Sequence, residues 1–567
     1  MGGLAAAALI GCGDEDEPAA DSGAAPASTQ GAGAGAQVQV FKDDNVPYPY
    51  TFPEPNVTPK KGGTLRVAIT TDFSSLDTTK SASAVTIYLP NIVYNRLLGY
   101  VHGTNPKYTP FKLQLEPELA QSWEASPDGM TYTFKLAPNV KWQNVKPLNG
   151  RPFTAADVKF TYERYAAEGV NQQYFSAISN IEAQDATTLR ITLKRPSPDF
   201  LVPLGGFFTS IHPKELVDDG SLAKSAVGTG PMILEGFRAG DSAQLKKNPD
   251  YWEREVLLDG LDVKLMLDQA ARLASFRAEQ LDYAPQIVDS LADLDTLKRS
   301  NANIQINAAP LLASGAMGLP ADHPKFQDIR VRHALALAID ADTMGKILYP
   351  NEAVKRLPVM QWPFVFDKEP TNASGELGKW FKYDAAESKK LLLAAGAENL
   401  EFTNLYYILS PVNGKISNLF GEAFRNVGVK MNEQLMEYVA FNSQWVPRQF
   451  KEATTGAWFP VGFTPDNFFY DSLHSKGAGN RLRVNDAEID GWADAQQVEL
   501  NPQKRRELLR KIWDKELELT YRISYPARVP VDVYQPWLRG LRYDGGNGPS
   551  SFFYSLGPQI ERVWLNK

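Results

Sequence analysis

An α/β fold with more than one hydrophobic core is predicted by three observations. Short segments in the first third of the chain alternate apolar and less apolar residues, as a half-buried strand requires. Further along, apolar residues recur at helical spacing behind recognisable caps. Finally, 43% of 567 residues are hydrophobic, and a chain of that length outgrows a single core.

The elements follow in order. Gly62-Gly63 leads into a strand with Leu65, Val67 and Ile69 on one face, and Tyr132, Phe134 and Leu136 form a second such face. Thr154-Ala155-Ala156-Asp157 has the form of a capping box, with Val158, Thr161, Tyr162 and Tyr165 following at helical spacing. Leu189, Ile191 and Leu193 mark a third strand. Val331, Ala334, Leu335, Ala338 and Ile339 give a helix one apolar face. Asp384 with Glu387 starts another helix, which stops at Gly396, and Ile416, Phe420 and Phe424 place a further one before Gly428. Tyr406, Tyr407 and Asn413 read as a solvated loop after a strand. Asn501-Pro502 caps a last helix whose buried side is Leu508, Leu509, Ile512, Trp513 and Leu519.

Cys12 is the only cysteine, and it closes Leu9-Ile10-Gly11-Cys12 between an apolar run and the acidic Asp14-Glu15-Asp16-Glu17. That arrangement resembles a bacterial lipobox, so Cys12 is the expected lipid attachment site. The expectation is a membrane-anchored protein on the outer face of the cytoplasmic membrane or in the periplasm. Two or three acyl chains hold a protein firmly, at about 0.8 kcal/mol per buried CH2, with no need of a spanning helix. Residues 1–8 lack the Lys or Arg of a secretory n-region, which places the expected start upstream of Met1. Residues 13–61 read as a flexible tether: from Gly13 to about Gln37 Ala, Gly, Ser, Pro and acids dominate, which bury too little apolar surface to order the chain, and the proline-rich residues 38–60 continue it in stiffer, extended form.

The formal charge of -7 argues against nucleic acid as a partner. A single cysteine leaves no disulfide and no cysteine metal site. The histidines at 102, 212, 323, 333 and 474 are scattered without metal-ligand spacing, so neither metal nor cofactor is expected, and His333 reads as structural. Neither a Gly-x-Ser-x-Gly elbow nor a phosphate loop occurs, and no catalytic residue is assigned.

Several stretches in sequence order resemble the family 5 extracellular solute-binding proteins, the dipeptide and oligopeptide receptors of ABC importers. Glu118-Leu119-Ala120-Gln121-Ser122-Trp123-Glu124 followed by Pro127-Asp128-Gly129-Met130-Thr131-Tyr132-Thr133-Phe134 is one, extended by residues 149–158. Gly228-Thr229-Gly230-Pro231 with residues 245–252 is another, and residues 326–340 are a third. The resemblance implies a two-lobed periplasmic-binding-protein-like α/β fold (type II, cluster C) with an inserted subdomain. Lobe I would comprise 62–97, 208–305 and 536–567, the inserted subdomain 98–207, and lobe II 306–535, with two crossovers as hinge. Such a monomer would close on a small ligand, peptide or oligosaccharide, and be recognised by ABC permease subunits.

By the same resemblance the ligand lies between the lobes. Tyr438, Trp458, Phe459, Val461 and Phe463 would line it from lobe II, with Arg481 nearby and Tyr283 and Gln286 facing them from lobe I. Peptide-binding relatives carry an aspartate for the peptide's amino terminus where this chain has Val461. Burying an unpaired ammonium costs several kcal/mol, roughly. Either another acid such as Asp466 substitutes, or the ligand is neutral, as a sugar would be. The alternatives are a secreted carbohydrate-active hydrolase with an aromatic cleft and a ligand-sensing receptor on the same fold.

Overall fold

The computed structural model describes residues 58–69, 75–80, 88–101, 115–169, 171–284, 287–288, 290–308, 313–350, 352, 354–371, 375–408, 411–456, 464–528, 531–540 and 560–567. Cys12, most of the tether, Gln286, Trp458, Phe459, Val461 and Phe463 lie outside them.

Three sheets organise the chain. In the first, Thr64–Ile69 runs parallel to Gly260–Leu265, which is followed outward by the antiparallel strands Ser242–Lys247 and Met232–Arg238. Leu65, Val67 and Ile69 are buried in the largest core, as their alternation predicts. Ala68 is buried as well, on the opposite face, in a smaller core with Phe276, Leu281 and Leu294. This strand is therefore covered on both sides.

The second sheet is antiparallel throughout, in the order Ala120–Ala125, Thr131–Leu136, Thr188–Leu193, Ile178–Ala183. Pro127-Asp128-Gly129 makes its first hairpin turn, with Gly129 at φ +68° and the Asp128 carboxylate accepting from Met130 N at 3.0 Å. Helix Ala155–Ala167 packs on this sheet through Val158, Thr161, Tyr162 and Tyr165, all buried. Its predicted cap is present: the Asp157 carboxylate accepts from Thr154 N at 2.9 Å and also binds the Arg151 guanidinium at 2.8 and 3.1 Å. The first two sheets share one core.

The third sheet has the order Lys430–Met436, Glu401–Tyr407, Ala453–Gly456, Ala316–Gly318, Arg522–Ser524. The first three strands are parallel, and Ala316–Gly318 is antiparallel to both its neighbours. Separate cores pad its two faces. Asp384 caps helix Ala385–Ala394 and Asn501 caps helix Pro502–Leu519, in both cases through a carbonyl or carboxylate oxygen on the N3 amide. Helix Ile329–Leu337 departs from its one-faced pattern, because Val331 through Leu337 are all buried. Arg332 survives burial by donating to the carbonyls of Phe326, Gln327 and Leu519 and lying over the Tyr521 ring. His333 binds Glu518 O at 2.7 Å and stacks on Trp380, a structural role.

A two-stranded antiparallel pair, Gln305–Ala308 with Val531–Tyr534, stands where the chain passes between the first and third sheets. Tyr283 joins this pair to the first sheet through isolated bridges to Val67 and Tyr534. Among the described residues no helix is long and apolar enough to cross a membrane.

Candidate functional site

In the third sheet, strand Glu401–Tyr407 is flanked on one side by the next strand in sequence, Lys430–Met436, and on the other by the one after, Ala453–Gly456. The two crossovers therefore leave in opposite directions, so the carboxyl ends of strands Glu401–Tyr407 and Ala453–Gly456 flank the switch point at which this topology leaves a crevice. Open α/β sheets bind ligands at such a switch point. Tyr407 and Gly456 form its base: a Cβ on Gly456 would lie 2.8 Å from the Tyr407 ring, so the glycine is needed for space. Tyr438, at the first turn of helix Tyr438–Trp445, meets Tyr407 edge-on at 5.0 Å and is 40% exposed. An aromatic that is held on one side and open on the other is suited to covering a ligand.

Tyr406 and Tyr407 are strand residues, each less than a tenth exposed, and not the solvated loop that the sequence suggests. The reason is their place in an interior parallel strand, where both faces are covered and alternation disappears.

Beyond residues 457–463 the chain re-enters at Thr464, whose N–H and hydroxyl both bind the Asn467 side-chain oxygen, opening the turn Asp466–Tyr470. Phe468 and Phe469 point into the core. Thr464 also meets the second-sheet half of the molecule, closing a cavity of about 10 Å³ with Tyr174, Val202, Pro203, Phe208 and Thr209.

Asp466 is engaged by its own neighbours. Its carboxylate accepts from the side chains of Gln496 and Gln497 and lies 3.8 Å from Arg505. Burial, and then the charge of Asp199, push this carboxyl up to about 6 against the pull of Arg505. A carboxylate so engaged is not a free partner for a ligand ammonium group, which weighs against Asp466 as the substitute for the missing aspartate.

Of the other residues expected at the site, Tyr283 is 1% exposed, with its ring 4.9 Å from that of Tyr534, at the root of the connecting strand pair. Arg481 is half-buried. Its guanidinium donates to Ala478 O at 2.6 Å, and among the described residues no carboxylate comes within ion-pair distance. Burial lowers its pKa, opposed by Asp471. The structure brings Tyr438 to the crevice mouth and leaves Tyr283 in the core. Among the described residues no group of three or more His, Cys, Asp and Glu side chains could hold a metal ion.

The first two stretches carrying the resemblance are tied together structurally, and sequence reasoning missed the residue that joins them, Asn95. Its amide donates to Glu118 at 2.8 Å, and its oxygen accepts from Thr229 at 2.9 Å and from Trp252 at 3.4 Å. Glu118 in turn is paired with Arg96, both buried. No local signal marks Asn95, because its partners are up to 157 residues away.

The comparisons with known proteins agree with this architecture. The family model for bacterial extracellular solute-binding proteins, family 5 Middle, matches residues 114–480. Heme-binding protein A of Haemophilus influenzae is 26% identical over 478 residues, covering 79% of this chain and 81% of that protein. The dipeptide-binding protein of Escherichia coli is 26% identical over 422 residues, covering 69% and 74%. Among solved structures, the ABC transporter-associated periplasmic binding protein DppA from Helicobacter pylori, in complex with the peptide STSA, superposes with a TM-score of 0.73 at 24% identity, covering 90% of this chain and 99% of that one. The chain belongs to family 5 of the bacterial extracellular solute-binding proteins.

Proposed function

We propose that the protein captures a peptide between its two lobes and delivers it to the permease of an ABC importer. The observation that carries this reading is the half-exposed aromatic Tyr438 held edge-on by Tyr407 at the switch point of the third sheet. Family membership makes the chain a solute-binding transport component, not an enzyme, so the hydrolase alternative falls away. One relative is named for dipeptides, which supports peptide, and another for heme. Lobe I takes residues 62–97, 208–305 and 536–567, the inserted subdomain 98–207, and lobe II 306–535. The strand pair Gln305–Ala308 and Val531–Tyr534 serves as the hinge. Tyr438, Trp458, Phe459, Val461 and Phe463 contact ligand from lobe II, with Arg481 and Gln286 around them and Tyr283 behind them in the core, and the protein works as a monomer.

With valine at 461 and Asp466 engaged elsewhere, neither position offers a free carboxylate to the peptide's amino terminus. Thermal shift against short peptides and oligosaccharides tests both points. A peptide at 100 times its Kd stabilises the protein by about 2.7 kcal/mol, and its N-acetylated form is expected to do nearly as well. A shift with oligosaccharides and none with peptides would overturn the peptide reading.

Cys12 carries the lipid that keeps the receptor near its permease, and the lipobox-like run before it supports this. Cys12→Ser is expected to move the protein from the membrane fraction to the soluble one. Unchanged membrane association would refute the anchor.

A further inference from the structure

Six residues form a continuous chain of polar contacts across the boundary between the second-sheet half and the third-sheet half. Arg505, in the first turn of helix Pro502–Leu519, donates to both carboxylate oxygens of Asp199, at 2.6 and 2.5 Å. The two residues are 306 positions apart, and their side chains are only 11% and 13% exposed. The Nε and Nη2 of Arg505 also donate to Gln496 Oε1. Gln496 and Gln497 donate to Asp466, and Arg195 donates to the backbone and side-chain oxygens of Gln497 at 3.2 Å. The network therefore runs from Asp199 through Arg505, Gln496, Asp466 and Gln497 to Arg195.

We infer that this network is a latch that holds the inserted subdomain closed against lobe II. The inference rests on the reading that the lobes move about a hinge. Its composition suits repeated opening. Arg195 and Asp199 lie on one side, Arg505 and Asp466 on the other, so each half carries one acid and one base. Opening therefore strands no net charge on either face, and Asp466 keeps Arg505, 3.8 Å away, within its own half. A buried ion pair that lost its only partner would instead be strongly unfavourable to open. The bidentate guanidinium–carboxylate contact also fixes orientation as well as distance, which a lysine could not do.

The latch is placed to report on the crevice. Asp466 begins the turn that directly follows residues 457–463, and Thr464, two positions earlier, lines the small cavity against Phe208 and Thr209. A ligand that shifts this turn shifts the acid on which Gln496 and Gln497 are seated. Those glutamines in turn orient Arg505 and receive Arg195. Occupancy and closure are thereby linked through side chains rather than through the hinge alone.

The test uses the ligand-free protein. Asp199→Asn and Arg505→Gln are each expected to raise the radius of gyration in small-angle X-ray scattering. Each should also speed amide exchange by about tenfold in both 195–205 and 496–505, since each removes a contact that protects both segments. The double variant should be no more open than either single one. Asp199→Glu, which keeps the charge, should lie between wild type and Asp199→Asn. If Asp199→Asn matches wild type while Arg505→Gln loosens only 496–505, Arg505 merely anchors Gln496 and the latch is overturned. Equal opening by Asp199→Glu and Asp199→Asn would overturn it too. Because no ligand enters the experiment, a failure of peptides to bind would leave the result standing, and peptide binding with unaltered scattering would refute the latch alone.

Discussion

Gly228→Ala is expected to destabilise the protein by about 3 kcal/mol, at the upper end of overpacking costs. A Cβ at Gly228 would lie 1.9 Å from Val93 O and 2.9 Å from the Tyr94 ring. The oxygen cannot retreat, since it accepts the Gly230 N–H at 2.9 Å. Nor can residue 228 move out, because Gln143 grips it twice, its side-chain oxygen accepting from Gly228 N at 3.1 Å and its N–H donating to Gly228 O at 2.8 Å. The glycine is required for space and not for an unusual φ. Urea unfolding should show a lower midpoint at an unchanged slope. A midpoint equal to wild type would mean that this segment can shift away from Val93 at little cost.

That prediction gives a physical meaning to a stretch that resemblance alone picked out. Gly228-Thr229-Gly230-Pro231 is where the Tyr94–Arg96 segment, Gln143 and Asn248 are stitched together, and Asn248 belongs to the second half of the same marker. A sequence exposes such a knot only as an odd run of small residues. Its partners are brought together by the fold, and Asn95 carries no local signal at all.

Local elements were more legible, because burial of one face leaves a period in the chain. The strands at Thr64–Ile69, Thr131–Leu136 and Thr188–Leu193 and the caps at Asp384 and Asn501 needed nothing beyond their neighbours. Where both faces are covered the period vanishes. Tyr406 and Tyr407 read as loop for that reason, and helix Ile329–Leu337 showed one face although all sides are buried. At the site, Tyr438 was found by likeness to relatives, and neither its support by Tyr407 nor the space that Gly456 leaves was visible beforehand. The Asp199–Arg505 contact was beyond reach, since two charged residues among 125 carry no sign of which partner they meet.

Asp282→Ala is expected to cost about 3–4 kcal/mol, because it would strip a fully buried carboxylate from donors that were built around it. Asp282 accepts from Arg66 three times, through its backbone N–H at 2.8 Å, Nε at 3.0 Å and Nη2 at 2.8 Å. It accepts also from Trp537 at 2.7 Å and Lys567 at 2.9 Å. Its own backbone oxygen receives Gln535 N, one residue past the connecting strand Val531–Tyr534, so the residue ties the first sheet to the root of the proposed hinge. Burial pushes the carboxyl up, but the hydrogen bonds from Arg66, Lys567 and Trp537 outweigh it and hold the pKa below its usual 3.8. The unfolded chain therefore takes up this proton at higher pH than the folded one. The stabilisation is complete above about pH 3.8 and is lost as pH falls through the folded value. Between about pH 5 and pH 2, wild type should lose stability more steeply than Asp282→Ala, whose deficit shrinks as acid removes the same interaction from wild type. Parallel acid profiles for the two proteins would mean that Asp282 acts through shape alone, with its charge contributing nothing to the joint between sheet and hinge.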